Sequence, residues 1–222
     1  MNGRAADGGP TAAELLDGTF RLLRRGAGRA GAAFLILAGL GVVIDSGMAG
    51  REWEGLLNLF VSVLVIVSQY RVTRLLLGDL AGTMPSGGGI GAFILLGILS
   101  TLGIFLGLLL VVVPGIVLFV RWSIAVPILL DTDEGPADSL RRSWRETGPC
   151  FWPILVTYLA LYGPAVLVAV LGYAWADRDP GNLAGVVVAN IGLNVGLILG
   201  WHAAVAIYSH FQSRASISTV FE

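Results

Sequence analysis

The chain lacks lysine altogether, because all fourteen of its basic residues are arginine. Schiff-base chemistry and a Walker-type phosphate loop both need a lysine, so the sequence excludes both. Cys150 is the one cysteine, which excludes a disulfide within the chain. Charged residues are also few, at 13% against about 25% in average soluble proteins. The net charge of −1 gives no reason to expect nucleic acid as a partner.

Long apolar runs fill most of the sequence. Hydrophobic residues make up 55% of the chain, and they gather in stretches of about 20 residues, the length that crosses a hydrocarbon core of about 30 Å. The fold class is therefore predicted to be an all-α, polytopic membrane bundle, with residues 11–222 as a single integral membrane domain and residues 1–10 as a disordered tail. Six spans are predicted, at residues 30–46, 55–78, 90–113, 115–131, 152–175 and 183–208.

Two further segments, residues 11–27 and 136–147, are amphipathic and are predicted to lie on the membrane surface. The first begins with a capping box, in which Thr11 and Glu14 satisfy each other's backbone amides. Basic faces of this kind suit anionic lipid headgroups. The candidate headgroup contacts are Arg21, Arg24, Arg25, Arg141, Arg142 and Arg145.

The distribution of arginine between the two sides of the membrane predicts the orientation. Only Arg51 and Arg178 fall on one side, and eleven arginines fall on the other. By the positive-inside rule both termini are cytoplasmic and both amphipathic helices face the cytoplasm. The predicted location is a bacterial inner membrane. The eleven are Arg4, Arg21, Arg24, Arg25, Arg29, Arg71, Arg74, Arg141, Arg142, Arg145 and Arg214.

The fourth span is the least ordinary of the six. Pro114 and Gly115 are predicted to form the turn that separates it from the third span, and Pro127 interrupts its inner end. Arg121 lies within it, where a guanidinium needs backbone carbonyls, intramembrane amides or a lipid phosphate as partners. A snorkelling structural arginine and a lipid or substrate contact are both open interpretations.

The sixth span carries a stripe of small residues and two amides. Gly192, Gly196 and Gly200 allow another helix to approach closely, so their predicted use is helix packing, within the chain or in a homo-oligomer. Asn190 and Asn194 lie one turn apart on the same span. Hydrogen bonding between helices explains them, and a polar path shared with Arg121 is the alternative.

Motifs for catalysis are missing from the sequence. It contains no GxSxG, HExxH or GxxxxGK[ST] pattern, and two histidines with one cysteine make a poor metal site. We therefore expect no enzymatic activity, no cofactor and no metal. The expected function is to organise membrane lipids or an envelope partner, and the alternative is a transporter or lipid translocator.

The segment from Val111 to Leu159 resembles the glycerophosphoryl diester phosphodiesterase membrane domain family, with the YciC-like inner-membrane proteins as relatives. The opening AELLDGTFRLLRR and Tyr208 before the polar tail are similar to it too. The resemblance implies a multi-spanning helical fold with two membrane-surface helices. It does not imply hydrolysis, because the sequence lacks the His-Arg-Gly and paired acidic motifs of the phosphodiesterase. The features that carry it are Pro114-Gly115, Arg121, Pro127, the acidic turn, Ala137, Leu140, Arg142, Ser143, Trp144 and Phe151-Trp152.

Reporter fusions test the predicted topology. Alkaline phosphatase fused after the last residue is expected to be inactive and a fluorescent protein there to be bright, because the C-terminus is predicted to be cytoplasmic. The same pair fused after Asp177, beyond the fifth span, should give the opposite result. An active phosphatase at the C-terminus would contradict six crossings.

Overall fold

The computed structural model describes residues 9–47, 51–179 and 182–218. These residues form nine α-helices and one 3₁₀ turn, with no strand among them. The 3₁₀ turn, Gly148–Cys150, joins α7 to α8. The helices are α1 (Ala12–Arg25), α2 (Ala27–Asp45), α3 (Arg51–Ala81), α4 (Ile90–Leu110), α5 (Val112–Arg121), α6 (Ala125–Asp131), α7 (Pro136–Thr147), α8 (Phe151–Arg178) and α9 (Leu183–Ser218).

Six helical segments of this structure are long and apolar enough to cross a membrane. They are α2, α3, α4, α5 together with α6, α8 with the α7 that leads into it, and α9. The predicted fold class is therefore confirmed, and the chain is an all-α multi-pass membrane protein. Helix ends differ from the predicted spans by a few residues, most of all for α9, which continues ten residues beyond 208 to Ser218.

The helix α1 begins with the predicted capping box. The Thr11 amide donates to Glu14 Oε2 at 2.8 Å, and the Glu14 amide donates to Thr11 Oγ1 at 3.3 Å. The face of α1 that carries Leu15, Thr19 and Leu22 is buried where the helix packs on α8 and α9. This contact fixes α1 against the bundle and leaves its arginines outward.

The two amphipathic helices lie at the same end of the bundle, which we call the arginine-rich end. Thr157 Oγ1, near the start of α8, lies 3.5 Å from the carbonyl oxygen of Ala12 at the start of α1, and α7 leads directly into α8. The opposite, distal end is marked by Asp45, whose carboxylate accepts a 2.8 Å hydrogen bond from the Tyr173 hydroxyl.

The tail predicted at residues 1–10 falls largely outside the described residues. Gly9 and Pro10 are described, and they pack on the bundle rather than extending from it. Pro10 is buried, and a Cβ built on Gly9 would lie 2.8 Å from Cys150 Sγ. Pro10 directly precedes the N-cap Thr11, so it is held close to the bundle by the packing of α1.

The turn between the third and fourth spans lies at Val111, not at the predicted Pro114-Gly115. Val111 is extended, with φ −161° and ψ 140°, while Pro114 and Gly115 are already inside α5. Proline is tolerated there because the first amides of a helix have no partner within the helix. Gly115 instead lets α5 approach α4, since a Cβ built on it would lie 2.8 Å from the Leu108 nitrogen.

The fourth crossing consists of two short helices, α5 and α6, separated by residues 122–124. The break lies four residues before Pro127, because a proline clashes with the carbonyl four residues earlier and cannot bond to it. The chain nevertheless returns to the level at which α4 begins, since the Gly88 amide donates to the Leu129 carbonyl at 2.7 Å.

The helices α8 and α9 pack closely through small residues. A Cβ built on Gly192 would lie 2.6 Å from the Ala165 carbonyl oxygen, and one on Gly196 would lie 3.2 Å from Ala165 Cβ. A Cβ on Gly200 would overlap the Tyr162 hydroxyl. The structure thus places all three glycines of the predicted packing stripe against α8, within one chain.

Adding one methyl group to this contact tests how tightly the two helices are packed. Gly192→Ala is expected to lower the free energy of unfolding by about 1–3 kcal/mol, because the α8 backbone must move away. The matched control is Gly39→Ala in α2, where no atom lies within 4 Å of the added Cβ, so helix propensity alone should make it neutral or slightly stabilising. Thermal unfolding in detergent measures both, and equal melting temperatures would contradict the tight contact.

Candidate functional site

The buried face of α7 consists of hydroxyl side chains instead of apolar ones. Ser139, Ser143 and Thr147 lie four residues apart on one face of the helix, and each is 0% exposed. The helix packs with this face toward α4, α5 and α6. A surface helix normally buries an apolar stripe, so the hydroxyls here need a partner on the helices beneath.

That partner is the carbonyl oxygen of Arg121, at the end of α5. Ser143 Oγ donates to it at 2.7 Å and Thr147 Oγ1 at 3.1 Å. The carbonyl is available because the Ala125 amide, its normal partner in a continuous helix, bonds to Trp122 instead. The hydroxyls of α7 therefore satisfy a backbone group that the break in the fourth crossing leaves free.

The side chain of Arg121 binds α7 as well. Its Nη1 donates to the Trp144 carbonyl oxygen at 3.1 Å, and its guanidinium carbon lies 4.9 Å from the centre of the Trp144 ring. A cation at the C-terminal end of a helix is stabilised by the unpaired carbonyls and the helix dipole there. Arg121 thus has a backbone carbonyl as its partner, one of the three kinds expected from the sequence.

Arg142 is held inside the site by two acids. Its Nη1 lies 2.9 Å from Glu134 Oε1, and its Nε lies 2.6 Å from Glu146 Oε1. Burial disfavours the Arg142 cation, but the hydrogen bonds and charges of Glu146 and Glu134 outweigh that effect, so the pKa of Arg142 is raised above its ordinary value. This arginine joins α7 to the preceding turn and is not available to a ligand.

A cavity of about 750 Å³ lies beside α7, on the side away from the Ser139 face. Arg141 pairs with Asp138 at 3.8 Å, and both side chains are largely exposed. Arg145 is exposed and forms no ion pair with any residue that the structure describes. The Trp122 ring, which follows Arg121 directly, was not a candidate from the sequence. The lining residues are Trp122, Glu134, Asp138, Leu140, Arg141, Trp144 and Arg145.

The outer face of α1 adds further exposed cations at the same end. Arg21 pairs with Asp17 at 3.3 Å, in an exposed ion pair. Arg24 and Arg25 are exposed and have no acidic partner in the described parts of the chain. Phe20 is 43% exposed beside them. Both α1 and α7 thus present free arginines next to an exposed aromatic ring.

Asn190 and Asn194 lie away from this cluster. Asn190 Nδ2 donates to Asp45 Oδ2 at 2.9 Å, at the distal end, and its Oδ1 lies against Gly41 of α2. Asn194 Nδ2 donates to the Asn190 carbonyl at 2.9 Å. These contacts join α9 to α2, whereas Arg121 contacts α7. The described residues therefore do not bring Arg121, Asn190 and Asn194 together into one path.

Asp45 was missed by the sequence reasoning. It is the last residue of α2 and lies one residue before the predicted end of the first span. Its carboxylate accepts from Tyr173 and from Asn190. An acid at the end of an apolar run, with a tyrosine near the predicted distal end of the fifth span, is the signal that could have found it.

Comparisons with known proteins give no matching family model, no matching curated protein and no matching solved structure. The described residues also contain no group of three His, Cys, Asp or Glu side chains that could hold a metal ion. The site must therefore be interpreted from its own chemistry, namely a firmly bound surface helix, an aromatic cavity and exposed arginines.

Removing the two hydroxyls that bind the Arg121 carbonyl tests how α7 is held. In Ser143→Ala/Thr147→Val this carbonyl loses both partners, which is expected to destabilise the protein by about 1–3 kcal/mol. Detachment of α7 should also expose Cys150, the buried thiol just beyond it, so its rate of reaction with a maleimide is expected to rise.

The matched control is Ser139→Ala/Thr19→Val. Both of these hydroxyls are also 0% exposed, but they bond to carbonyls of their own helical turns, at Gly135 and Leu15. The control should change the labelling rate little. If both double variants label equally fast, the hydroxyls of α7 do not hold it to the fourth crossing.

Proposed function

We propose that this chain is a non-enzymatic bacterial inner-membrane protein that organises anionic phospholipids at its arginine-rich end. The observation that carries the proposal is three exposed arginines with no acidic partner among the described residues, Arg24 and Arg25 on α1 and Arg145 on α7, which we call the unpaired arginines. Each of the two helices also carries an exposed aromatic ring. Phe20 and Trp144 are 43% and 40% exposed. Basic and aromatic side chains together are typical of membrane-surface helices.

The chemistry of these side chains fits a phosphate group. A guanidinium donates two parallel hydrogen bonds to phosphate oxygens. Near an anionic leaflet each arginine contributes about 1 kcal/mol. Arg21, Arg141 and Arg142 contribute less in this proposal, because each already pairs with an acid.

The rigidity of the two helices supports a defined lipid site over a diffuse charged surface. The inner faces of α1 and α7 are buried, and hydrogen bonds to Arg121 hold α7 in place. Arginines on a fixed helix lose less conformational freedom on binding than those on a mobile segment. The cavity beside Arg145 adds two tryptophan rings that a lipid can contact.

The orientation of the protein belongs to the same proposal. The arginine asymmetry favours a cytoplasmic location for the arginine-rich end and both termini, and the cytoplasmic leaflet carries anionic lipid. Organisation of an envelope partner by the same end stays a prediction, as does the family resemblance. The translocator alternative has less support, because the residues chosen for its path engage different helices.

Native mass spectrometry tests the proposal. The protein is equilibrated with equal amounts of phosphatidylglycerol and phosphatidylethanolamine, and retained lipids are identified. The wild type is expected to retain the anionic lipid preferentially. Arg24→Gln/Arg25→Gln/Arg145→Gln should lose this preference by about fivefold for each arginine, the equivalent of 1 kcal/mol, and added salt should weaken the wild-type preference.

The control variant is Arg178→Gln, which removes an exposed arginine at the end of α8. It should retain the anionic preference, because it lies at the distal end. Equal phosphatidylglycerol retention by the triple variant and Arg178→Gln, with both folded, would refute headgroup recognition by the unpaired arginines.

A further inference from the structure

A groove of about 570 Å³ runs between α3, α4 and α6. Its walls are mainly apolar, with Ile66 on α3, Val126 on α6, and Phe93, Ile98 and Leu102 on α4. From Phe93 to Leu102 the groove follows nine residues of α4, or about 14 Å at 1.5 Å per residue. Because α3 and α4 contact each other little, the groove opens sideways toward the surrounding lipid.

The depth of the groove follows from α3. Arg71 is exposed, and an exposed arginine lies outside the hydrocarbon or reaches its boundary. Gln69 lines the groove only two residues before it, about 3 Å further in. The groove therefore begins near the boundary of the hydrocarbon and continues inward along α4.

Gln69 is a half-buried polar side chain at this boundary. It has no hydrogen-bond partner among the described residues, and leaving an amide unpaired in an apolar setting is costly. Ser100, deeper in the groove, already donates to the Gly97 carbonyl at 3.1 Å. Thr101 follows Ser100 on α4 and is likewise deeper in the groove, so Gln69 is the polar group at its mouth that a ligand would engage.

The lining of the groove contains no charged side chain. Arg74, further along α3, lies outside it and bonds to the Tyr70 hydroxyl at 2.8 Å and to the Pro85 carbonyl. A ligand that fits therefore places an uncharged polar group at Gln69 and an apolar chain beyond it. An ester carbonyl lies at this depth in a glycerophospholipid, with its acyl chain running into the hydrocarbon.

We propose that the groove binds one acyl chain of a glycerophospholipid, with the ester carbonyl accepting a hydrogen bond from Gln69 Nε2 and the chain lying along Ile66, Ile98 and Leu102. The site differs from the unpaired arginines of α1 and α7 in position and chemistry. It does not depend on an anionic headgroup, so either proposal can fail without the other.

The chain offers a direct way to fill the groove. Gly97 lines it, and no atom lies within 4 Å of a Cβ built there, so the side chain of Gly97→Leu starts from an open position and extends into the groove. Gly91→Leu is the matched control, because Gly91 is on the same helix, has the same open space at its Cβ and does not line the groove.

The probe is a phosphatidylethanolamine with a photoreactive diazirine on one acyl chain, added at a low ratio to detergent-purified protein. In the wild type, and equally in Gly91→Leu, labels are expected in the peptide that contains residues 92–102. Gly97→Leu should reduce this labelling to background. Gln69→Leu keeps a similar volume but removes the donor, so it should reduce labelling about two- to tenfold, the worth of one hydrogen bond.

Unchanged labelling in Gly97→Leu would overturn the proposal, and so would equal loss in Gly91→Leu. If Gly97→Leu proves unstable in thermal unfolding, Gln69→Leu decides alone, and undiminished labelling in that variant overturns the role of the amide. Neither result depends on a preference for anionic lipid, which the arginine variants test separately.

Discussion

The carbonyl oxygen of Arg121 is the group on which the arrangement of α5, α6 and α7 depends. Within hydrocarbon every backbone polar group must find a partner inside the protein. Pro127 removes one amide and breaks the fourth crossing at residues 122–124, and the break frees the Arg121 carbonyl. The hydroxyls of Ser143 and Thr147 then donate to this carbonyl oxygen, at 2.7 and 3.1 Å, in place of the backbone amide. The break in the fourth crossing thereby provides the backbone carbonyl to which α7 is bound.

This attachment determines where the charges of α7 lie. With its hydroxyl face turned toward α5 and α6, the opposite face must carry Arg141, Trp144 and Arg145 outward. Arg121 stabilises the same arrangement because its guanidinium donates to the Trp144 carbonyl near the C-terminal end of α7. Its charge is therefore engaged by α7. Arg24, Arg25 and Arg145, which have no acidic partner among the described residues, lie on the outward faces of α1 and α7.

The fold was predictable to a large extent from the sequence, because hydrophobic length is a local property. Five of the six apolar runs each correspond to one long helix, and the fourth corresponds to α5 and α6 together. The capping box at Thr11 and the amphipathic segment at 136–147 also correspond to helices. The turn at Val111 was not predictable in the same way. Pro114 and Gly115 are compatible both with a turn and with the first residues of a helix, and only the packing of α5 on α4 decides between the two.

The site was less predictable, because its partners are distant in sequence. The sequence shows that Arg121 and Asn190 require bonds, but Arg121 binds a carbonyl 23 residues away and Asn190 a carboxylate 145 residues away. The hydrogen bonds of two serine hydroxyls show this dependence on distant partners. Ser62 bonds to its own helix at Asn58, whereas Ser143 bonds to α5, although both are serines on helices. Their partners differ because α5 presents Ser143 with the Arg121 carbonyl, which accepts no hydrogen bond from the Ala125 amide. This carbonyl is free only because the helix breaks between α5 and α6, before Pro127.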